Sequence, residues 1–402
     1  VTDIKLARRV TSIRVSPSTA AAQKARDLKA AGRDILDLTV GEPDYDTPDS
    51  IKDIGIAAIR SGDTKYTPVN GTVALRNAIQ HDFGARLGIR FGHDQICVGG
   101  GAKQVIFVAL MATVEDGDEV IIPAPYWVSY PDMVVANDGT PVIVPCDEDA
   151  GFKLTPEALE AAITPNTRWL ILNTPSNPTG AAYSPAELAA LGEVLKRHPQ
   201  IFVLCDEIYD RIWFADFQVQ SIVSAVPDLI DRALVVNGVS KSHAMTGWRI
   251  GYGVGPVKLI GAINKLQSQM SSCPSSISQA AAAAALTGDQ SSIKTSVAVY
   301  RQRRDRAVEL INAIPGLNCR VPDGAFYLFP SCAGLIGKKT PDGKLIETDL
   351  DFGLHLLETV GVASVHGGAY GMEPYFRIST ATSMEIIESA CDRIAKACAA
   401  LV

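Results

Sequence analysis

The 402-residue sequence has no C-x-x-C pair, no histidine–cysteine cluster at metal-ligand spacing, no internal repeat and no apolar run near the length of a bilayer span. Each absence removes a class of function. The eight cysteines (Cys97, Cys146, Cys205, Cys273, Cys319, Cys332, Cys391, Cys398) stand far apart, which argues against a dithiol redox motif or a zinc ligand set and predicts reduced, mostly buried thiols. Apolar runs such as Ala280 to Leu286 fall well short of the roughly 18 residues that a membrane span requires. An excess of positive charge is also missing: 37 Lys and Arg face 44 Asp and Glu, a net charge of -7, so no broad basic field awaits a nucleic acid. Asp3, Lys5, Arg8 and Arg9 interrupt the first ten residues, where a signal peptide would need an apolar stretch, and a cytoplasmic location is expected.

What is present is an ordinary globular composition, 47% hydrophobic and 20% charged, long enough for a large domain and a satellite. From about residue 95, short apolar runs alternate with amphipathic stretches, the pattern of a largely parallel sheet covered by helices on both faces. Seven strands are predicted, at Ile96–Gly99, Glu119–Pro123, Pro141–Pro145, Trp169–Asn173, Phe202–Cys205, Ala233–Asn237 and Ile250–Val254. Helical spacing marks Ala102–Val114 and Ser184–Arg197, the latter opening on Ser184-Pro185 and Glu187 in the manner of a capping box. Further helices are expected at Val257–Met270, Ser275–Leu286 and Ser291–Ile314. The texture then changes to an α+β unit, made of the segment Ala325–Phe329, a loop around Gly337–Gly343, a helix near Asp349–Thr359, strands at Val362–His366 and Phe376–Thr380, and a last helix from Ser383. The expected division is an arm over 1–48 joining the small domain, a large domain over 49–320, and the rest of the small domain over 321–402.

Four features carry candidate chemistry. Gly99-Gly100-Gly101-Ala102-Lys103-Gln104 joins a strand to a helix, so backbone amides and the positive helix end would face an anion, although such a turn can equally be a plain chain reversal. Two prolines flank Asn177 in Asn173–Gly180 and would aim its amide, unless the segment is an ordinary proline-rich turn. Asp206 closes an apolar strand at the end where open α/β sheets bind ligands, and a buried carboxylate there costs several kcal/mol, on the order of an unpaired buried ion, without a cation or donors. A metal is the competing partner, but none of the six histidines has ligand spacing with it. Lys241 lies between two strands in Ser240–Arg249, with Arg249 eight positions on; alone, it would be a solvated charge. Together these features fit a ligand with a phosphate, a basic ring nitrogen and an aldehyde, which describes pyridoxal 5'-phosphate.

On these residues the sequence resembles the class I aminotransferases of the fold-type I pyridoxal-phosphate enzymes, in the branch of bacterial aspartate and prephenate aminotransferases. The resemblance runs nearly the whole chain, from Gly41-Glu42-Pro43-Asp44 and Lys65-Tyr66-Thr67-Pro68 through Pro125-Tyr126-Trp127, Asn177-Pro178-Thr179-Gly180, Asp206-Glu207-Ile208-Tyr209 and the lysine run to Phe376-Arg377-Ile378-Ser379. It implies that Lys241 bears the cofactor as a Schiff base, that Asp206 pairs with the ring nitrogen, that Tyr209 and Asn177 contact the ring oxygen and that Trp127 stacks on the ring. Arg249, the turn at Gly101, Ala102 and Lys103, and Ser240 would hold the phosphate, joined by Tyr66 of a second subunit in a homodimer. Arg377, with Asn177, Trp127 and the Gly41 backbone, would take the substrate α-carboxylate. Lys103, Arg14 and Ser18 would reach a distal carboxylate.

The implied reaction transfers an amino group from a dicarboxylic donor such as aspartate to 2-oxoglutarate. An aromatic or prephenate substrate is the alternative within the family, a lyase reaction the alternative on the same scaffold, and a non-catalytic ligand sensor the alternative outside enzymes. Three stretches depart from close relatives: Ser242-His243 after the lysine, Thr380 after Ile378-Ser379, and Ser271-Ser272-Cys273-Pro274.

Overall fold

The computed structural model describes residues 4–13, 17–217 and 219–402. Its centre is a seven-stranded sheet of β1 (Ile96–Gly99), β2 (Glu119–Ala124), β3 (Thr140–Pro145), β4 (Thr167–Asn173), β5 (Phe202–Asp206), β6 (Ala233–Gly238) and β7 (Gly251–Val254), in the spatial order β1-β7-β6-β5-β4-β2-β3. Only β7 runs antiparallel to its neighbours. All seven predicted strands form, with ends shifted by no more than two residues.

The strands read as continuous apolar runs because both faces are covered. Side chains alternate across the sheet with period two. Leu170, Leu172, Val203, Cys205 and Val235 enter one core, while Trp169, Ile171, Leu204, Leu234 and Val236 enter the other. The helices that cover the sheet start where the sequence sets them. Ser184 caps α4 (Pro185–Arg197): its hydroxyl accepts from the Glu187 amide, and Glu187 Oε2 accepts from the Ser184 amide at 2.7 Å. A glycine, Gly101, precedes α2 (Ala102–Thr113) and offers no side chain to cap it.

A separate apolar core gathers Phe352, Leu356, Phe376, Ile378 and the inner face of α6 (Met384–Ala399). It also takes in Leu38 from the arm and Ala307, Val308 and Ile311 from the last turns of α5 (Ser291–Asn312), so this core begins well before residue 320. One continuous helix thus joins the two bodies. The arm is tied to the second core where Leu36–Asp37 pairs in parallel with Val362–Ala363.

The expected strand over 362–366 is two short pieces, because Val365–His366 turns to pair with Phe376 and Arg377 instead. Within the segment 325–329 a short strand forms, β8 (Tyr327–Leu328), paired with β10 (Phe376–Ser379), which also pairs with β9 (Val365–His366). The helix expected over 349–359 is regular only to His355 and then widens into a π-helical turn over Leu356–Val360. All eight cysteines are free and seven are buried, Cys273 being the half-buried one. Among the described residues no helix is long and apolar enough to cross a membrane, and no group of three His, Cys, Asp or Glu side chains is arranged to hold a metal.

Candidate active site

The carboxyl ends of β1, β2, β4, β5 and β6 open into one cleft of about 570 Å³, also lined by Tyr327 of β8 and Arg377 of β10, with α1 (Pro17–Ala30) bringing Thr19, Ala22 and Arg26 to its rim. Strand register sets the floor. Asn173 and Asp206 are paired neighbours at the last rung of β4 and β5. The Asn173 amide donates to the Asp206 carbonyl at 2.9 Å, and its oxygen accepts from the Asn177 amide at 2.8 Å.

Asp206 is 5% exposed. Its Oδ2 accepts from the Tyr130 hydroxyl at 2.8 Å and its Oδ1 from the Ile208 amide at 3.2 Å. Burial raises its carboxyl from 3.8 to about 6, opposed by those two hydrogen bonds and by the nearby Lys241 charge. The donors that the buried acid requires are therefore present, and a cation faces it across the cleft.

Lys241 is half-buried, with Nζ donating to the Gly41 carbonyl at 2.5 Å. Burial lowers its ammonium from 10.5 to about 8; Glu42 pulls the other way, while Arg377 and Arg249 add repulsion. At about pH 7 such an amine is still mostly protonated, but its neutral fraction, about a tenth, is far larger than that of an ordinary lysine, and the neutral form is the one that proton transfer and carbonyl attack require. Tyr209 and Tyr327, both buried, share a hydrogen bond between hydroxyls at 2.7 Å, and the Lys241 amine lies 5.9 Å from the Tyr209 ring centre.

Two arginines frame the ends of the cleft. Arg249 adopts a left-handed backbone (φ 56°) and donates to the Thr246 and Gly100 carbonyls at 2.9 and 3.1 Å. Its guanidinium lies over the bare α-carbon of Gly101 (φ 105°), where a Cβ would come within 2.3 Å of Nη2. Only glycine fits this cradle, which sits at the uncapped N-terminus of α2. Arg377, on β10, is 3% exposed; it donates to Asn177 Oδ1 at 3.1 Å and to the Thr39 carbonyl at 2.5 Å, and it lies over the Tyr327 ring at 4.6 Å. No carboxylate among the described residues pairs with it, and its buried Nε has no partner. A buried guanidinium with no carboxylate partner is suited to receive an anion.

Lys103 extends across the mouth, 4.6 Å from the Trp127 ring centre and 3.3 Å from Ser129 Oγ. Burial and then Arg249 lower its pKa below the ordinary lysine value. Of the residues singled out in the sequence, Gly41, Ala102, Lys103, Trp127, Asn177, Asp206, Tyr209, Ser240, Lys241, Arg249 and Arg377 line this one cleft, with Gly101 directly behind. Tyr66 does not line it: that side chain is 90% exposed on the surface of the same chain. Arg14 and the side chain of Ser18 lie outside the described residues.

Sequence reasoning missed Tyr130, Tyr327, Asn173, Glu42 and Arg26, all of which line the cleft. Tyr130 stands one helical turn after Trp127, at the start of α3 (Ser129–Ala136), and the two rings meet edge to face at 5.2 Å. That spacing was its one available signal. The departures from relatives also find places: Thr380 is buried and bonds the Phe326 carbonyl, and Ser271 Oγ accepts from Gln104 at 2.9 Å.

Residues 33–394 match the family model of aminotransferase class I and II. The chain belongs to the class I and II aminotransferases. It is 51% identical over 395 residues to a probable aspartate/prephenate aminotransferase of Rhizobium leguminosarum bv. phaseoli, covering 98% of this chain and 99% of that relative. Among solved structures, the aspartate aminotransferase of Rhizobium meliloti superposes with a TM-score of 0.97 at 50% identity and full coverage of both chains. The aspartate aminotransferase of Thermus thermophilus with maleate gives 0.91 at 36% identity, covering 98% of this chain and 100% of that one. The family is one that works with pyridoxal phosphate, and the aminotransferase activity and the fold-type I architecture follow from this membership.

Proposed function

We propose that this aminotransferase holds pyridoxal 5'-phosphate in the cleft and takes aspartate as amino donor and a 2-oxo acid such as 2-oxoglutarate as acceptor. The observation that carries the reading is the pairing in one cleft of a half-buried amine lowered to about 8 with a buried, donor-stabilised carboxylate. The residues fit the cofactor. The Gly101 cradle, the open end of α2, Arg249 and Ser240 suit a phosphate dianion, Asp206 suits a protonated ring nitrogen, and Trp127, Tyr209 and Asn177 suit the ring and its oxygen.

Bound there, the cofactor supplies an aldehyde for amine exchange and a cationic ring that takes up the electron pair left when the donor loses its α-proton. The remaining steps belong to the chain. Asp206, held ionised by Tyr130 and the Ile208 amide, keeps a proton on the ring nitrogen. Arg377 and Asn177 grip the α-carboxylate with two parallel donors and so orient the α-hydrogen, a geometry that the point charge of a lysine would not match. The Lys241 amine, with its pKa near 8, would be the base that takes that proton at Nζ and the acid that gives one back in the second half of the transfer.

Substrate class follows from charge. Beyond Arg249, Lys241 and Arg377, the cleft retains Lys103 and Arg26, enough to receive a second carboxylate. The maleate carried by the Thermus thermophilus structure is a dicarboxylate, which supports the same reading. The double name of the Rhizobium leguminosarum relative favours prephenate as a second substrate. We further propose a homodimer in which Tyr66, exposed on its own chain, completes the partner's phosphate site.

A donor panel tests the assignment. Loaded protein should bleach with L-aspartate and recover its absorbance with 2-oxoglutarate. Lys103→Ala should lower kcat/KM for aspartate by about 10- to 100-fold, as loss of a charge-assisted hydrogen bond does, and leave alanine unaffected. Equal use of alanine and aspartate by the parent enzyme would overturn dicarboxylate specificity.

A further inference from the structure

Ser242 and His243 follow the cleft lysine and are both buried, yet neither lines the cleft. His243 accepts at Nδ1 from the Ser242 hydroxyl (2.8 Å) and faces Gln290 Oε1 with Nε2 at 3.3 Å. The orientation of Gln290 is settled by its own bonds. Its amide nitrogen donates to the Ala285 and Gly288 carbonyls, both at 2.9 Å, so Oε1 is the acceptor and His243 must carry its proton on Nε2. Burial and the nearby Arg211 charge push His243 down to about 4, so it stays a neutral imidazole.

From Gln290 the bonds continue inward. Arg211 donates to Gln290 Oε1 at 2.5 Å and to Asp82, Asp82 also takes a two-pronged bond from Arg86, and Arg86 reaches Asp210 at 2.9 Å. Asp210 accepts from the Asn237 amide at 2.8 Å, and Asn237 lies on β6, four residues before Lys241. The path therefore leaves the chain just before the lysine and returns to it just after. Asp82 and Asp210 are both buried, and a buried ionic network of this kind adds little net stability over an apolar core. Its placement on both flanks of one amine is what sets it apart.

We propose that the buried circuit Asn237–Asp210–Arg86–Asp82–Arg211–Gln290–His243 positions Lys241, with His243 and Ser242 as positioning residues that fix the loop from which the amine works. The inference rests on the reading of Lys241 as the cofactor-bearing amine. Loops on a rigid scaffold are mobile by default, and an amine that must reach the reacting carbon loses rate when its base can drift.

His243 is the residue to change, because it is neutral and Gln290 keeps Arg211 as a partner after its loss. In His243→Leu holoenzyme, kcat should fall about tenfold, the equivalent of two hydrogen bonds, while the KM for aspartate holds. The pH midpoint of the visible absorbance change should also move from the parent value. His243→Gln, which keeps a donor toward Gln290, should recover most of both. Ser242→Ala, a smaller change that leaves the imidazole in place, should cost about threefold in kcat, the equivalent of one neutral hydrogen bond. A purely structural role would lower the melting temperature and leave kcat and the midpoint at the parent values in His243→Leu and Ser242→Ala, and that result overturns the proposal. Lys241→Ala serves as the control: if its spectrum and midpoint match the parent, the reading of Lys241 itself fails, which is a separate outcome.

Discussion

Replacing Tyr130 with phenylalanine removes one oxygen atom from the cleft and leaves the ring in place against Trp127. The atom lost is the donor to Asp206 Oδ2 at 2.8 Å, one of two hydrogen bonds that hold this buried carboxylate ionised. A hydrogen bond to a charged group contributes about 1.5–3 kcal/mol, and 1.36 kcal/mol is one pKa unit, so the Asp206 carboxyl should rise by about 1–2 units. Starting from about 6 it would titrate at about 7–8. At pH 7 the ionised fraction then falls from about 90% to between about 50% and 10%. If ionised Asp206 is what receives the protonated ring nitrogen, apoprotein affinity for pyridoxal phosphate at pH 7 should fall by about two- to ninefold in proportion, and the deficit should vanish by about pH 9. Equilibrium titration of Tyr130→Phe and parent apoprotein at a series of pH values measures this directly. An affinity ratio between the two that does not change with pH would refute the reasoning, because it would mean that Tyr130 acts by packing alone.

Asp206→Asn should separate stability from function. Burial raises the folded carboxyl from 3.8 to about 6, so its favourable contribution is complete below about pH 4 and lost as pH rises to about 6. At pH 8 the ionised group is then a cost on the order of 2–3 kcal/mol, and thermal unfolding of the Asn apoprotein at that pH should show a higher midpoint while steady-state turnover collapses. Arg377→Lys removes the planar fork and strands Asn177 Oδ1, so kcat/KM for aspartate should fall by about 10²-fold, read from initial rates.

Much of this arrangement was legible in the sequence, and what escaped has a common physical cause. The central strands announced themselves because two covering layers make both of their faces apolar, so Trp169–Asn173 and Phe202–Cys205 read as unbroken runs. The small strands gave weaker signals. A two-residue piece such as Val362–Ala363 has no periodicity of its own and exists because Leu36–Asp37 lies beside it. Asp206, Asn177 and Lys241 were visible because each ends or follows a strand at the ligand-binding edge. Tyr130 and Tyr327 were not, since each meets its polar partner only across the fold, at Asp206 and Tyr209, and each sits among ordinary core aromatics. Ser242-His243 stood out only as a departure from relatives, and its role was hidden for the same reason: the partner of His243, Gln290, lies 47 residues further along the chain.

The central claim is that Lys241 is the amine that carries the cofactor. Borohydride reduction of the loaded enzyme, followed by proteolysis and peptide mass mapping, tests it most directly. The account predicts the reduced cofactor's mass on the peptide containing Lys241, on no other lysine, and on no peptide of the Lys241→Ala protein. Label on a different lysine, or label retained in Lys241→Ala, would contradict it.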